Sequence, residues 1–461
     1  MWFRRSTTQR CLRRYVIGLS LAGLALSLLL LNRRESRQGS KSSPRVSRTI
    51  LHDISGKMAD KVFEERDEAT WVTGVMEPDY MPTDGLADVD QDMALRKARV
   101  ASVCEANPHL VGMYTNNSIV SARHRFLYCP VPKVASTFWT RFFYQLMYTD
   151  PVGSPFDVPV TSVLPIYFYK FKLKEKTFSE LTTALSRLHK LVYVRDPYSR
   201  LYSAFVDKII APNPFFWRLW GKPAIQRYRK SSGQSCGQDM TFSEYISLTV
   251  DSEWKTDVHM QPVYHYCPPC IMNFTVIGKM ETFQRDAMKT ASLLNISEKQ
   301  IAFDRMEKDA VDDAIFDSAK DSLSDKWLKL SLQCVSRDQV MRRILRKVQL
   351  RGIVSWRFKY PYSRQESKMV SLDKYVRVLT EARDRYLNKT ELKIQKKQAY
   401  LEAFYSVPQP VLQKLDDIYK LDALFFGYEK VGNRFKTGNR LPLVHTGAFD
   451  LTREWDLSPV L

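Results

Sequence analysis

Residues 129–139, CPVPKVASTFW, place one lysine, Lys133, and two hydroxyls, Ser136 and Thr137, between an apolar run and an aromatic-rich one. Backbone N–H groups at a helix start, joined by an ammonium and hydroxyl donors, make an anion site. A triphosphate loop needs G-x-x-x-x-G-K-[ST], and no glycine stands among Pro132, Lys133, Val134, Ala135, Ser136 and Thr137, which argues against ATP and GTP. A second stretch, VRDPYSRLYSAF (194–205), begins another helix. Asp196 and Pro197 make an N-cap and first-turn pair. Arg195, closing an apolar strand, needs a counter-charge, for which a bidentate phosphate is suited. Ser203 adds a hydroxyl on the following helix. Two anion sites at neighbouring strand ends fit a ligand with phosphates at both ends of a nucleoside.

Elements must hold these groups side by side. RFLYCPV (125–131) reads as a strand, and STFWTRFFYQLMY (136–148) as a helix with Phe138, Trp139, Phe142, Phe143, Leu146 and Met147 at helical spacing. KLVYV (190–194) has the continuous apolar character of a buried parallel strand, and the next helix puts Leu201, Ala204, Phe205 and Ile209 on one face. FTVIGKM (274–280) supplies a third strand. The pattern predicts an α/β fold, a P-loop-like parallel sheet flanked by helices, with ligand beyond the carboxyl ends of the strands. Asp92 is placed to cap a helix over 93–105, where the globular domain starts.

The 461 residues are 44% hydrophobic and 12% aromatic, enough for a core of catalytic size. The formal charge is +20, and residues 1–48, with eleven Arg/Lys and one acid, hold +10 of it. A basic body suits an anionic nucleotide or an acidic polymer. Nucleic acid is not expected as a partner, since zinc-finger spacing, RNP signature and heptad-plus-basic region are all missing. YVIGLSLAGLALSLLLL (15–31), uncharged and flanked by arginines, predicts a single transmembrane signal anchor. Residues 1–14 are then a cytosolic tail, 32–92 a stem, 93–430 a lumenal domain and 431–461 a C-terminal tail. Four N-x-[ST] sequons, at Asn116, Asn273, Asn295 and Asn388, fall on the lumenal side. Beyond Cys11, the six cysteines Cys104, Cys129, Cys236, Cys267, Cys270 and Cys334 leave the disulfide connectivity open. The CPPC pair (267–270) reads as structural: no second C-x-x-C completes a zinc site, and the pair leads into a strand instead of opening a helix. The basic stretch 336–405 reads as a helical insertion, with a solvated surface as the first reading and a contact for an acidic polymer as the second.

The chain resembles the Golgi carbohydrate sulfotransferases, in the branch containing chondroitin/dermatan 4-O-sulfotransferases, GalNAc-4-sulfotransferases and the glucuronyl 3-O-sulfotransferase. HRFLYCPVPKVASTFW and VRDPYSRLYSAFVDK carry the resemblance, with GKPAIQRYRK, TFSEYI, PVYHYCPPC, VIGKMETF and LDDIYKLDALFFGYE following in order. It implies 3′-phosphoadenosine 5′-phosphosulfate (PAPS) as co-substrate, no metal, residues 132–137 around the 5′ end, and Arg195 and Ser203 on the 3′-phosphate. Lys133 would stabilise the leaving phosphate. His259 would be the general base, with His124 the second candidate, because a histidine titrates near the working pH. The implied acceptor is a glycan or glycosaminoglycan, at the 4-O of GalNAc in chondroitin/dermatan. Glucuronyl 3-O and N-glycan GalNAc transfer are alternatives. The implied location is the Golgi membrane, single-pass type II. A catalytically silent glycan-binding protein and an ATP-using kinase are the competing classes; the intact anion motifs oppose the first and the missing glycines the second.

Overall fold

Strand β1 (Ile119–Ser121) runs antiparallel to β2 (Phe126–Cys129), which pairs in parallel with β3 (His189–Val194), and β3 in parallel with β4 (Val276–Lys279). The computed structural model describes residues 86–110, 118–148, 153–160, 162–163, 186–229, 235–251, 253–297, 302–429, 435 and 447–449. They belong to one unit, Glu77–Leu461. All four residues of β2 and the last four of β3 are buried, which is why both read as unbroken apolar runs. The antiparallel edge β1 departs from the purely parallel expectation, and its three residues are too few to register as a pattern.

Helix α1 (Leu86–Ala106) starts before Asp92, so that residue does not cap it. Its carboxylate instead accepts from Arg285 and lies 3.5 Å from Arg96, one turn on. Helix α2 (Ser136–Tyr148) has the bounds that its spacing predicts. Its Phe143 stacks on Phe126 of β2 at 4.1 Å and its Trp139 meets Tyr193 of β3 at 4.7 Å. A fully buried phenylalanine contributes about 1.5–3 kcal/mol, so these contacts fix the helix on the sheet. Gly278 makes room for Tyr193, since a Cβ there would sit 2.2 Å from its ring.

Helix α3 (Pro197–Phe205) is capped by Asp196, whose side chain accepts from the Ser199 N–H at 2.8 Å. It runs on into a π-turn, Val206–Ile210. The remaining long helices are α4 (Phe242–Asp251), α5 (Phe283–Leu293), α6 (Met306–Leu323), α7 (Arg337–Leu350), α8 (Leu372–Arg385), α9 (Lys389–Tyr405) and α10 (Gln409–Phe426).

The stretch 336–405 is helical, but α7 is not a solvated face. Val340, Met341, Ile344, Leu345 and Val348 pack with α6 and α8, and Arg343, Arg346 and Lys347 are buried beside them. Each cation has an interior partner: backbone carbonyls for Arg343, the Trp356 ring at 4.9 Å for Arg346, and Asp207 for Lys347. Composition alone cannot separate such partnered cations from solvated ones.

Disulfides join Cys104 to Cys270, Cys129 to Cys267 and Cys236 to Cys334. The CPPC cysteines are therefore structural, each with a distant partner. Between them and β4, Pro269–Met272 form a helical turn closed by Asn273 at φ 46°, so the pair does not lead directly into the strand. The apolar run 15–31, most of the stem and Asn116 lie outside the described residues. Among the described residues no helix is long and apolar enough to cross a membrane. Asn273, Asn295 and Asn388 are exposed.

Candidate active site

Strand β2 ends at Cys129 and the chain turns into α2 through residues 130–135. Val131 and Val134 anchor this loop in the core, while Lys133 (φ 67°) and Ala135 (φ 50°) adopt the left-handed region. Each such residue other than glycine costs about 1–2 kcal/mol, strain that concentrates at ligand sites. Beyond it, the first-turn N–H groups of α2 have no intrahelical acceptor. Pro132 and Ser136 are half-buried and Thr137 is exposed.

Lys133 Nζ lies 2.8 Å from Asp207 Oδ2, on the π-turn. The same carboxylate takes Lys208 Nζ at 3.1 Å and, on Oδ1, Lys347 Nζ at 2.7 Å. Burial and the neighbouring cations Lys208 and Lys347 push Lys133 down to about 8, with Asp207 opposing. Burial alone would raise Asp207, but Lys133, Lys347 and Lys208 overcome it and hold the carboxyl well below the usual range.

Arg195 closes β3 and donates to the Lys133 carbonyl at 3.4 Å, tying one strand end to the next. Its counter-charges within the protein are Glu281 and Asp196, which oppose the downward push of burial. Glu281 is itself fixed: Oε1 accepts from the Asp196 N–H and Oε2 from the Tyr428 hydroxyl, both at 3.0 Å. Ser203 is half-buried on α3, about two helical turns beyond Arg195.

His259 is held by Asp257, whose Oδ1 accepts from the backbone N–H at 2.8 Å and from ring Nδ1 at 2.9 Å, while Oδ2 accepts from Trp220 Nε1 at 2.9 Å. With Nδ1 donating, Nε2 is left as the proton acceptor. Burial pushes His259 down from its ordinary value; Asp257 opposes this, and Lys208 and Lys133 reinforce it. The imidazole therefore shares one electrostatic neighbourhood with Lys133. Arg200, fully buried on α3, donates to the carbonyls of Val258, His259 and Gln261 and so carries the histidine's loop. From the other side α10 supports it, with Asp422 accepting the N–H groups of Val263 and Tyr264 at 2.7 and 2.8 Å.

The structure brings Lys133, Arg195 and His259 together and does not bring His124 to them. That residue precedes β2, at the strand end opposite the Lys133 loop, where Nδ1 meets Ser121 Oγ at 3.1 Å. Sequence reasoning missed Asp207, Lys208, Lys347, Asp257 and Arg200. Asp207 and Lys208 end the VRDPYSRLYSAFVDK stretch, and Asp257 shows as D-x-H, whereas nothing local marks Lys347. Among the described residues no cluster of His, Cys, Asp or Glu side chains could hold a metal ion.

Fold and site together define a protein that offers cationic groups at two adjacent strand ends with a half-buried histidine alongside. A family model described as the sulfotransferase family matches residues 116–350, more than half of the 461. The chain belongs to that family. Among similar proteins, mouse carbohydrate sulfotransferase 11 is 28% identical over 218 residues, covering 44% of this chain and 62% of its own. Human carbohydrate sulfotransferase 9 is 33% identical over 176 residues (36% and 38%), and mouse carbohydrate sulfotransferase 14 is 34% identical over 171 (37% and 44%). The chain thus spans less than two thirds of the length of these relatives. No solved structure matches it.

Proposed function

We propose that the protein transfers a sulfuryl group from PAPS to a sugar hydroxyl of a glycan or glycosaminoglycan. The observation that carries this reading is the shared neighbourhood of Lys133, at a strand end, and His259, pushed down by burial and oriented by Asp257, with Arg195 tied to the same loop. The donor fits the residues: three ammoniums share one carboxylate at the Lys133 end, and a guanidinium waits at the other.

PAPS supplies an activated sulfuryl group on its 5′-phosphate. In the transfer, the bond from sulfur to that phosphate oxygen breaks as a bond from sulfur to the sugar oxygen forms. The leaving phosphate keeps the electron pair, and Lys133 neutralises the charge gathering there. His259 Nε2 accepts the proton of the sugar hydroxyl. Such an in-line displacement depends on positioning and charge stabilisation. Residues 132–137 bind the 5′ end, and Arg195 and Ser203 the 3′-phosphate.

The acceptor in this reading is the 4-O of GalNAc in chondroitin or dermatan; the names of the relatives support a carbohydrate, and the basic body of the chain suits an acidic one. The location is the Golgi membrane, single-pass type II with the catalytic domain lumenal, supported by the apolar run 15–31 and by three disulfides, which need an oxidising compartment. The test is sulfate transfer from labelled PAPS by the detergent-solubilised full chain to desulfated chondroitin, dermatan, heparosan and GalNAc-terminated glycans. Label entering chondroitin or dermatan supports the whole reading, and label in another acceptor corrects the sugar. No label, despite tight binding of 3′,5′-diphosphoadenosine, points to a silent binding protein. Failure to bind that nucleotide ends the sulfotransferase reading.

A further inference from the structure

Helix α7 meets the π-turn Val206–Ile210 at two points one helical turn apart. Arg343 donates to the carbonyls of Ile209 (3.2 Å), Ile210 (3.1 Å) and Gln238 (2.8 Å), and Lys347 pairs with Asp207 at 2.7 Å. Residues four apart lie on one helix face, so the Arg343 contacts fix where Lys347 reaches. The Cys236–Cys334 disulfide and the Ser336 capping box hold the start of α7 against the loop that carries Gln238. The ammonium of Lys347 is thereby placed with the precision of a core residue, beside the carboxylate that Lys133 uses.

Asp207 is shared three ways, with Lys347 on Oδ1 and Lys133 and Lys208 on Oδ2. The other carboxyls facing Lys347, Asp317 and Asp321 on α6, are pushed up by burial and by neighbouring carboxylates, with Lys347 opposing the shift. The guanidinium of Arg351, just past α7, adds to the same positive field. Each of these ammoniums carries three donors, more than one shared carboxylate can take, so an anion can complete them.

We propose that Lys347 is a donor-binding residue that engages the 5′-phosphosulfate end alongside Lys133, and that Asp207 is the positioning residue holding both ammoniums ready. This rests on the PAPS reading above and adds to it a residue from outside both anion motifs.

The experiment is titration calorimetry on the full chain with two probes, 3′,5′-diphosphoadenosine and adenosine 3′-phosphate, which lacks the 5′ group. Lys347→Met is expected to weaken the first by about tenfold to a hundredfold, the worth of one charge-assisted hydrogen bond, and to leave the second within about twofold. Lys347→Arg should recover most of the loss. If Lys347→Met weakens both probes alike, or neither, while the wild type binds both, the residue is structural and the inference falls alone. If the wild type binds neither probe, the PAPS reading falls and takes the inference with it.

Discussion

The two cationic ends of the site are built on opposite principles. At the Lys133 end, three lysines crowd one carboxylate, and burial brings Lys133 down to about 8. At the Arg195 end, a single guanidinium that stays protonated at any physiological pH faces Glu281 and Asp196, and Glu281 is pinned by the Asp196 N–H and Tyr428. One end has a charge that can change and a counter-ion shared among competitors. The other has a permanent charge in a fixed frame. In the proposed reaction, a donor gripped by the second and transferred at the first would use this asymmetry, because only the transfer end must respond as charge moves from sulfur to phosphate.

The contrast predicts unequal effects. Lys133→Ala removes a group that acts mainly in the transition state, so single-turnover sulfate transfer should fall by about a hundredfold to a thousandfold; a fall confined to donor affinity would show that it only binds. Asp257→Asn should lower turnover by about tenfold or more while donor affinity holds. Because Asp257 opposes the downward push that burial, Lys208 and Lys133 exert on His259, the variant's acid limb of turnover should move to lower pH. An unmoved limb would mean that His259 does not set it.

Arg195→Ala belongs to the gripping end. It should weaken 3′,5′-diphosphoadenosine and adenosine 3′-phosphate alike, by about tenfold, with little change in the pH dependence of binding. The smallest effect near neutrality is that of pH itself. Lys133 is charged below about 8 and neutral above, so nucleotide affinity should hold below that value and fall above it, by about tenfold in all. Asp207→Asn takes away the carboxylate that holds Lys133 up against burial, Lys208 and Lys347, so the fall should begin at lower pH. Calorimetry across a pH series reads both, and a break at the same pH in the two proteins would remove Asp207 from the account.

What was legible in the sequence follows the range of the forces involved. The α2 bounds, the parallel strands and the Asp196 cap depend on neighbours within a few residues, and the structure has them. Asp92 has the chemistry of a cap, but the helix begins at Leu86, so a local signal was present without its local context. Lys347 fails for the opposite reason: its meaning comes from Asp207, far away in the chain, and in sequence it is one cation in a basic run. The missing second C-x-x-C marked the CPPC pair as structural, but the helical turn Pro269–Met272 after it was not legible, and its partners, Cys129 and Cys104, are set by the fold.

The π-turn Val206–Ile210 has a consequence for how much length variation this chain tolerates. A π-turn holds one residue more than the α-helical turn it replaces, and each helical residue advances the side chain by about 100° around the axis. Deleting the Val206 codon would let the segment relax to an α-helix, with Arg343 no longer meeting the same carbonyls and Asp207 rotated off the lysines. The chain would keep every lysine and lose the register that gathers them, so in this segment the number of residues matters as much as their identity.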